Sequence, residues 1–138
     1  MSNIENPNVE IALRYHRAVS DFAGGAELAA FFHPDFTHHE LPNALFPQGN
    51  MRSLDQVQAA SAAGRKGLSA QNFEVLNTIA MGEQVVLEVL WTGTLAVPVR
   101  DLPVGHVMRA HIATVLEFRE GKIIAQRNYD CYEPLVPA

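Results

Sequence analysis

The sequence has almost nothing with which to crosslink itself or clamp a metal. One of its 138 residues is cysteine, Cys131, so no internal disulfide can form, and no Cys/His spacing of the zinc-site type occurs. Cations are scarce too: ten Lys and Arg against 15 Asp and Glu give a net charge of −5, and the ten are scattered. A phosphate backbone is bound by clustered Lys and Arg, so nucleic acid is not an expected partner. No apolar run approaches the roughly 20 residues of a membrane span. The polar opening segment, 1–8, lacks the basic-then-apolar pattern of a secretory leader. Nine glycines and eight prolines are too few for a collagen-like or low-complexity chain. What is present is 48% hydrophobic and 18% charged. A chain of this length buries roughly two-thirds of its unfolded surface and makes one domain. The expectation is a single cytoplasmic domain spanning 1–138.

Punctuation and periodicity give an element order. Asn6 before Pro7 reads as a cap followed by proline in the first helical turn. Ile11, Tyr15, Ala18, Val19 and Phe22 continue at helical spacing until Gly24-Gly25. A short second helix is expected over 26–32, stopped by Pro34. Residues 35–41 read as a strand and 44–51, with Pro47 and Gly49, as a loop. Ser53 and Gln56 have capping-box spacing, and Leu54, Val57 and Ala60 make a third helix ending near Gly64. The period then changes, predicting strands at about 70–80, 84–97, 106–119 and 122–132. The connection 98–105, with two prolines and a glycine, reads as a pocket rim. The order α-α-β-α-β-β-β-β describes an α+β fold, helices on one face of a mostly antiparallel sheet.

Alternation sorts the polar side chains onto faces. In the last strand Ile124, Gln126, Asn128, Asp130 and Tyr132 share one side; Ile123, Ala125, Arg127, Tyr129 and Cys131 share the other. Neither set is plainly a core set, and parity leaves both the pocket wall and the solvent face open for Gln126, Asn128 and Asp130. In the first strand His38 and Glu40 share a face while His39 points away, a pairing suited to acid/base work or to an exposed strand end. A metal would need further ligands, and His106 and His111 qualify only by type. If Glu88 faces solvent, Val89, Trp91 and Gly93 face inward, Trp91 as core filler or as a flat pocket wall. Tyr15 lies in an apolar stripe, so its hydroxyl must find a partner, structural or ligand.

The early Tyr15 helix, His33-Pro-Asp-Phe-Thr-His-His-Glu40, the turn Phe118-Arg-Glu-Gly-Lys-Ile123 and the ending Asn128-Tyr-Asp-Cys-Tyr-Glu-Pro134 resemble the SnoaL-like branch of the NTF2-like superfamily. The resemblance covers about 6–134. It implies a cone: a strongly curved sheet wrapped by three helices around a mostly apolar cavity. In the ketosteroid isomerases of that superfamily a helix-one tyrosine holds an oxyanion, and Tyr15 resembles it. Glu40 resembles their proton-shuttling base, and Thr114 stands where they keep a second oxyanion donor, an aspartate. Asn128 stands nearest the pocket carboxylate of the related epoxide hydrolases, whose Arg-x-Asp has no counterpart here. Asp130 resembles the terminal-strand aspartate of the cyclases. The resemblance thus turns Gln126, Asn128 and Asp130 towards the cavity, and implies catalytic roles for Asp130, Glu40 and Tyr15. His38, Phe36, Trp91, Thr114, Gln126 and Asn128 would then form the binding wall.

The expected function is a cofactor-independent, metal-free acid/base enzyme of cyclase, isomerase or dehydratase type. Its substrate would be a small hydrophobic carbonyl compound. A carboxyl group in an apolar cone resists ionisation and so can trade protons near neutral pH. The alternative is a non-catalytic ligand-binding or dimerisation module, favoured by an amide at 128 and a threonine at 114. Under either reading a homodimer is expected, because the outer sheet face would carry Val86, Leu90 and Thr92.

Overall fold

The computed structural model describes residues 6–137; residues 1–5 of the segment 1–8, read above as lacking a leader pattern, lie outside them. Helix α1 (Pro7–Ser20) starts where expected: the Asn6 side chain accepts the Asn8 amide proton at 3.0 Å. It ends four residues before the glycine pair. Phe22 takes the left-handed conformation instead, at φ 58°, and the Ala23 amide closes back onto the Ala18 carbonyl.

The second helix is shorter than its composition implies. Helix α2 (Gly25–Ala29) gives way to strand β1 (Phe32–Glu40), which contains Pro34 rather than following it. The aromatic pair decides this: Phe32 and Phe36 are both buried, with ring centroids 4.2 Å apart. Pro34 has no N–H to donate, and it sits where the pairing of β1 with the last strand shifts register, between Phe32 and Thr37.

A four-residue strand, β2 (Asn50–Ser53), occupies the end of the segment expected to be loop. It pairs antiparallel with β1, setting Arg52 opposite His38 and Asn50 opposite Glu40. The turn into β2 requires Gly49, whose φ is +70° and where a Cβ would lie 2.6 Å from the Glu40 carbonyl oxygen. Helix α3 (Leu54–Gly67) follows with the expected capping box of Ser53 and Gln56. Three long strands and a fourth complete the chain: β3 (Leu68–Met81), β4 (Gln84–Leu95), β5 (Val107–Arg119) and β6 (Lys122–Tyr132).

The sheet order is β2-β1-β6-β5-β4-β3. All neighbours are antiparallel except β1 and β6, which run parallel and align His38 with Gln126 and Glu40 with Asn128. The β4 parity holds: Val85, Leu87, Val89 and Trp91 are buried on the helix side, whereas Glu88 is exposed. In β6 the pairing shifts between Glu117 and Phe118, so Ile123 also turns inward before the regular alternation begins at Gln126. Among the described residues no helix is long and apolar enough to cross a membrane.

Gly93 shows how closely one wall is fitted. A Cβ there would overlap the Trp91 ring at Cζ2 and lie 2.6 Å from Cη2. Gly93→Ala should therefore destabilise the fold by about 1–3 kcal/mol and displace the indole. The checks are a urea unfolding curve and the emission of Trp91, the only tryptophan. Unchanged emission and stability would show that the ring has room to move.

Candidate functional site

Two adjoining hollows lie between the curved sheet and the helices. The inner one, about 220 Å³, is walled by Phe73, Trp91, Ile112 and Val19, and by a polar arc of Tyr15, His16, His38, Thr114, Gln126, Asn128, Asp130 and Tyr132. The outer one, about 540 Å³, is lined mainly by apolar side chains, among them Leu28, Val57, Leu68, Leu95 and Met108. They share Tyr15, Val19, His38, Trp91, Gln126 and Tyr132. Helix α3 roofs the outer chamber with Val57, Ala60, Ala63 and Gly64, which is why no residue of that helix is fully buried. The rim expected at 98–105 is present, contributing Val99. A further hollow of about 530 Å³ at the start of α1 has its polar groups spent on one another: Asn6 donates to the Gly82 carbonyl, Asn8 to Glu83.

The polar arc is a directed chain of hydrogen bonds. Tyr15 donates its hydroxyl proton to Gln126 Oε1 at 2.7 Å. Gln126 Nε2 donates to Asn128 Oδ1 at 2.7 Å, and Asn128 Nδ2 donates to Thr114 Oγ1 at 3.1 Å. His38 Nε2 also lies 2.8 Å from Asn128 Oδ1. An amide oxygen only accepts, so that ring nitrogen carries a proton. Burial pushes the His38 pKa down against the opposing pull of Asn128, which favours the neutral ring. Burial likewise pushes the Tyr15 hydroxyl well above its ordinary value.

Asp130 is the group this arc does not satisfy. Its Oδ1 is buried and has no hydrogen-bond partner among the described residues. Burial, and after it the charge of Glu40, push its pKa up to about 6, with Asn128 and Arg52 acting the other way. Parallel pairing of β1 with β6 produces that proximity by placing Glu40 beside Asn128.

Of the residues expected to form the site, Asp130, Tyr15, His38, Trp91, Asn128, Gln126 and Thr114 all line the inner chamber. Glu40 lies at the outer one, with both oxygens engaged: Oε1 by Arg52 Nη1 at 2.9 Å and Oε2 by Asn43 Nδ2 at 2.9 Å. Phe36 lines neither chamber and packs in the core against Phe32; its place on the binding wall is corrected accordingly. The even-numbered face of β1 fills the core at Phe32 and Phe36 and reaches the chambers only from His38, past the register shift. His39 pairs on the far side with Arg127, and His111 is exposed against Glu133 at 3.0 Å. Among the described residues no three His, Cys, Asp or Glu side chains converge as a metal set would.

Several wall residues were not anticipated, among them three polar ones. His16 lines the inner chamber one position after Tyr15, and Tyr132 follows Asp130 on the same face of β6. Gln71 bridges the wall, donating to the Val19 carbonyl at 2.7 Å and accepting from Trp91 Nε1 at 3.1 Å. The sequence signal for His16 was the spacing 8, 12, 15, 16 and 19, a full helical stripe once polar residues are admitted to it.

Comparison with known proteins agrees with this architecture. The profile of the SnoaL-like domain matches residues 12–126, stopping short of Asn128, Asp130 and Tyr132. No curated protein matches the chain. Among solved structures, AclR of Streptomyces galilaeus, a proposed hydroxylase, is 20% identical with a TM-score of 0.78, covering 97% of this chain and 83% of that one. IdmH of Streptomyces antibioticus, a proposed polyketide cyclase, is 15% identical at 0.75, covering 91% and 92%. An NTF2-like protein of Burkholderia thailandensis is 20% identical at 0.70, covering 91% of each chain. At these identities the structures establish an NTF2-like fold, and the profile match over most of the length establishes the family: the chain belongs to the SnoaL-like family.

Proposed function

We propose that the protein is an acid/base enzyme of cyclase, isomerase or dehydratase type, acting on a small hydrophobic carbonyl compound held in the paired chambers. The carrying observation is Asp130, a carboxyl group with a buried, unpartnered oxygen and a pKa raised to about 6. A group so placed is ionised at neutral pH yet weakly solvated, which suits it to take a proton from carbon and return it. The outer chamber receives the apolar body of the substrate, and the carbonyl end enters the inner one.

In the first step the Asp130 carboxylate removes the proton α to the carbonyl, and the electron pair moves onto the carbonyl oxygen. That developing oxyanion needs a donor. Tyr15 has one proton and gives it to Gln126; His38 gives its own to Asn128. The Tyr132 hydroxyl has no hydrogen-bond partner among the described residues and lines both chambers. Burial, with the nearby charges of Asp130 and Glu40, raises its pKa and keeps it protonated. In this reading Tyr132 takes the donor role that the resemblance implies for Tyr15. From the enolate, protonated Asp130 returns its proton to another carbon, giving isomerisation, or to a departing hydroxyl, giving dehydration. Attack of the enolate carbon on a second carbonyl breaks that C=O π bond and gives ring closure, the alkoxide so formed taking the proton from Asp130.

A test needs no natural substrate. 1-Tetralone deuterated at C2 should lose deuterium faster with the protein than with buffer alone, with a rate rising through pH 6. Asp130→Asn should remove the enhancement. A ketone that binds and returns with its deuterium intact would instead support the ligand-binding module.

A further inference from the structure

His16 is buried on α1 and has no part in the acid/base step above. Its Nδ1 lies 3.0 Å from the Ala12 carbonyl oxygen. A backbone carbonyl cannot donate, so Nδ1 carries the proton. Burial lowers the pKa of this ring, against the weaker effect of that carbonyl, and so favours the neutral form. Nε2 is then left with a bare lone pair. Among the described residues no donor reaches it, and the ring borders the inner chamber. Turning the ring over would forfeit the Ala12 bond. Edge contacts with Tyr15, at 5.4 Å between centroids, and Phe73, at 5.9 Å, hold the ring in place.

Four of the donors around it are already directed elsewhere: Tyr15, Gln126, Asn128 and His38 each point a proton at another member of the arc. Beside the free Tyr132 hydroxyl, the inner chamber therefore presents a ligand with two acceptors, His16 Nε2 and Asp130 Oδ1. We infer that His16 is the specificity-determining residue of this chamber, its Nε2 accepting a hydrogen bond from a hydroxyl group of the ligand. This rests on the chamber being the substrate site. It narrows the substrate class to carbonyl compounds that also carry a hydroxyl, phenolic or enolic, within reach of α1. A ligand with an ether at that position would leave the buried lone pair unpaired, the circumstance in which a polar pocket discriminates most strongly.

Phenol and anisole differ in that one donor, and either ring is small enough for the inner chamber. At pH 7.5 the wild-type protein should bind phenol at least about tenfold more tightly than anisole by NMR titration. His16→Phe should reduce the preference to under about twofold. In wild-type protein, phenol but not anisole should move the ¹⁵N resonance of His16 Nε2 upfield, a readout that a merely structural histidine would not give. Equal affinities, no phenol binding, a preference that survives His16→Phe, or an unmoved resonance at phenol saturation would each overturn the inference. If His16→Phe does not fold, the wild-type resonance decides. None of these outcomes touches the acid/base reading, which stands or falls on deuterium washout.

Discussion

Replacing Asp130 with asparagine should make the protein more stable at pH 8, by on the order of 2 kcal/mol, while abolishing the proposed deuterium washout. The two effects share one cause. An ordinary aspartate ionises at 3.8, and in the fold Asp130 ionises at about 6. Below pH 4 both folded and unfolded chains hold the proton, and the folded state bears no charge penalty. Between about 4 and 6 the unfolded chain releases the proton first, so stability falls as pH rises. Above 6 both are ionised and the loss is complete. At ~1.36 kcal/mol per pH unit, the separation amounts to ~3 kcal/mol. Asparagine avoids the charge but still leaves a polar atom facing the chamber, and so recovers less than the whole.

Urea unfolding at two pH values checks this. The variant should exceed wild type at pH 8 and nearly match it at pH 4. A variant less stable than wild type at pH 8, or a gap of equal size at both pH values, would mean that the carboxylate costs the fold nothing. Stability given up at the residue that carries the chemistry is the expected signature of a functional site, because selection for the fold alone would have removed the charge.

Alternation grouped Gln126, Asn128 and Asp130 on one face of β6 and His38 with Glu40 on one face of β1, but it left open which side met the cavity; the resemblance turned the β6 set inward, and the parallel β1–β6 pairing sets His38 beside it. What alternation cannot supply is the pairing partner. Arg52 sits on a four-residue edge strand preceded by Pro47 and Gly49, too short to carry a period. Only the β1–β2 register brings its guanidinium to Glu40. Tyr15 was legible as a pocket residue, yet the direction of its proton depends on Gln126, 111 positions away. His16 was missed for a different reason. A stripe drawn through apolar residues alone runs along Ile11 and Ala18, whereas the buried positions of α1 are Asn8, Ala12, Tyr15 and His16. Polar residues on a buried face mark a face that looks into a cavity.

The pairing of Glu40 with Arg52 yields the second large effect: Arg52→Met should cost about 3–5 kcal/mol. Glu40 is 7% exposed, its Oε1 held by Arg52 Nη1 and its Oε2 by Asn43. Methionine keeps the apolar stem beside Phe46, over whose ring the guanidinium lies at 5.7 Å, but leaves a buried carboxylate short of its counter-charge. Adding Glu40→Gln removes that charge and should restore most of the loss, which a urea series on the single and double variants would measure. If the double variant is as unstable as the single one, the cost lies in packing and not in the stranded charge. The same variants separate the two carboxylates chemically. Arg52 lowers the Asp130 pKa and Glu40 raises it by more. In a ¹³C carboxyl titration Asp130 should therefore move above its wild-type value in Arg52→Met and below it in the double variant. With Asp130 still ionised at pH 8, the double variant should continue to wash deuterium from the ketone. Loss of washout there would return the role of base to Glu40.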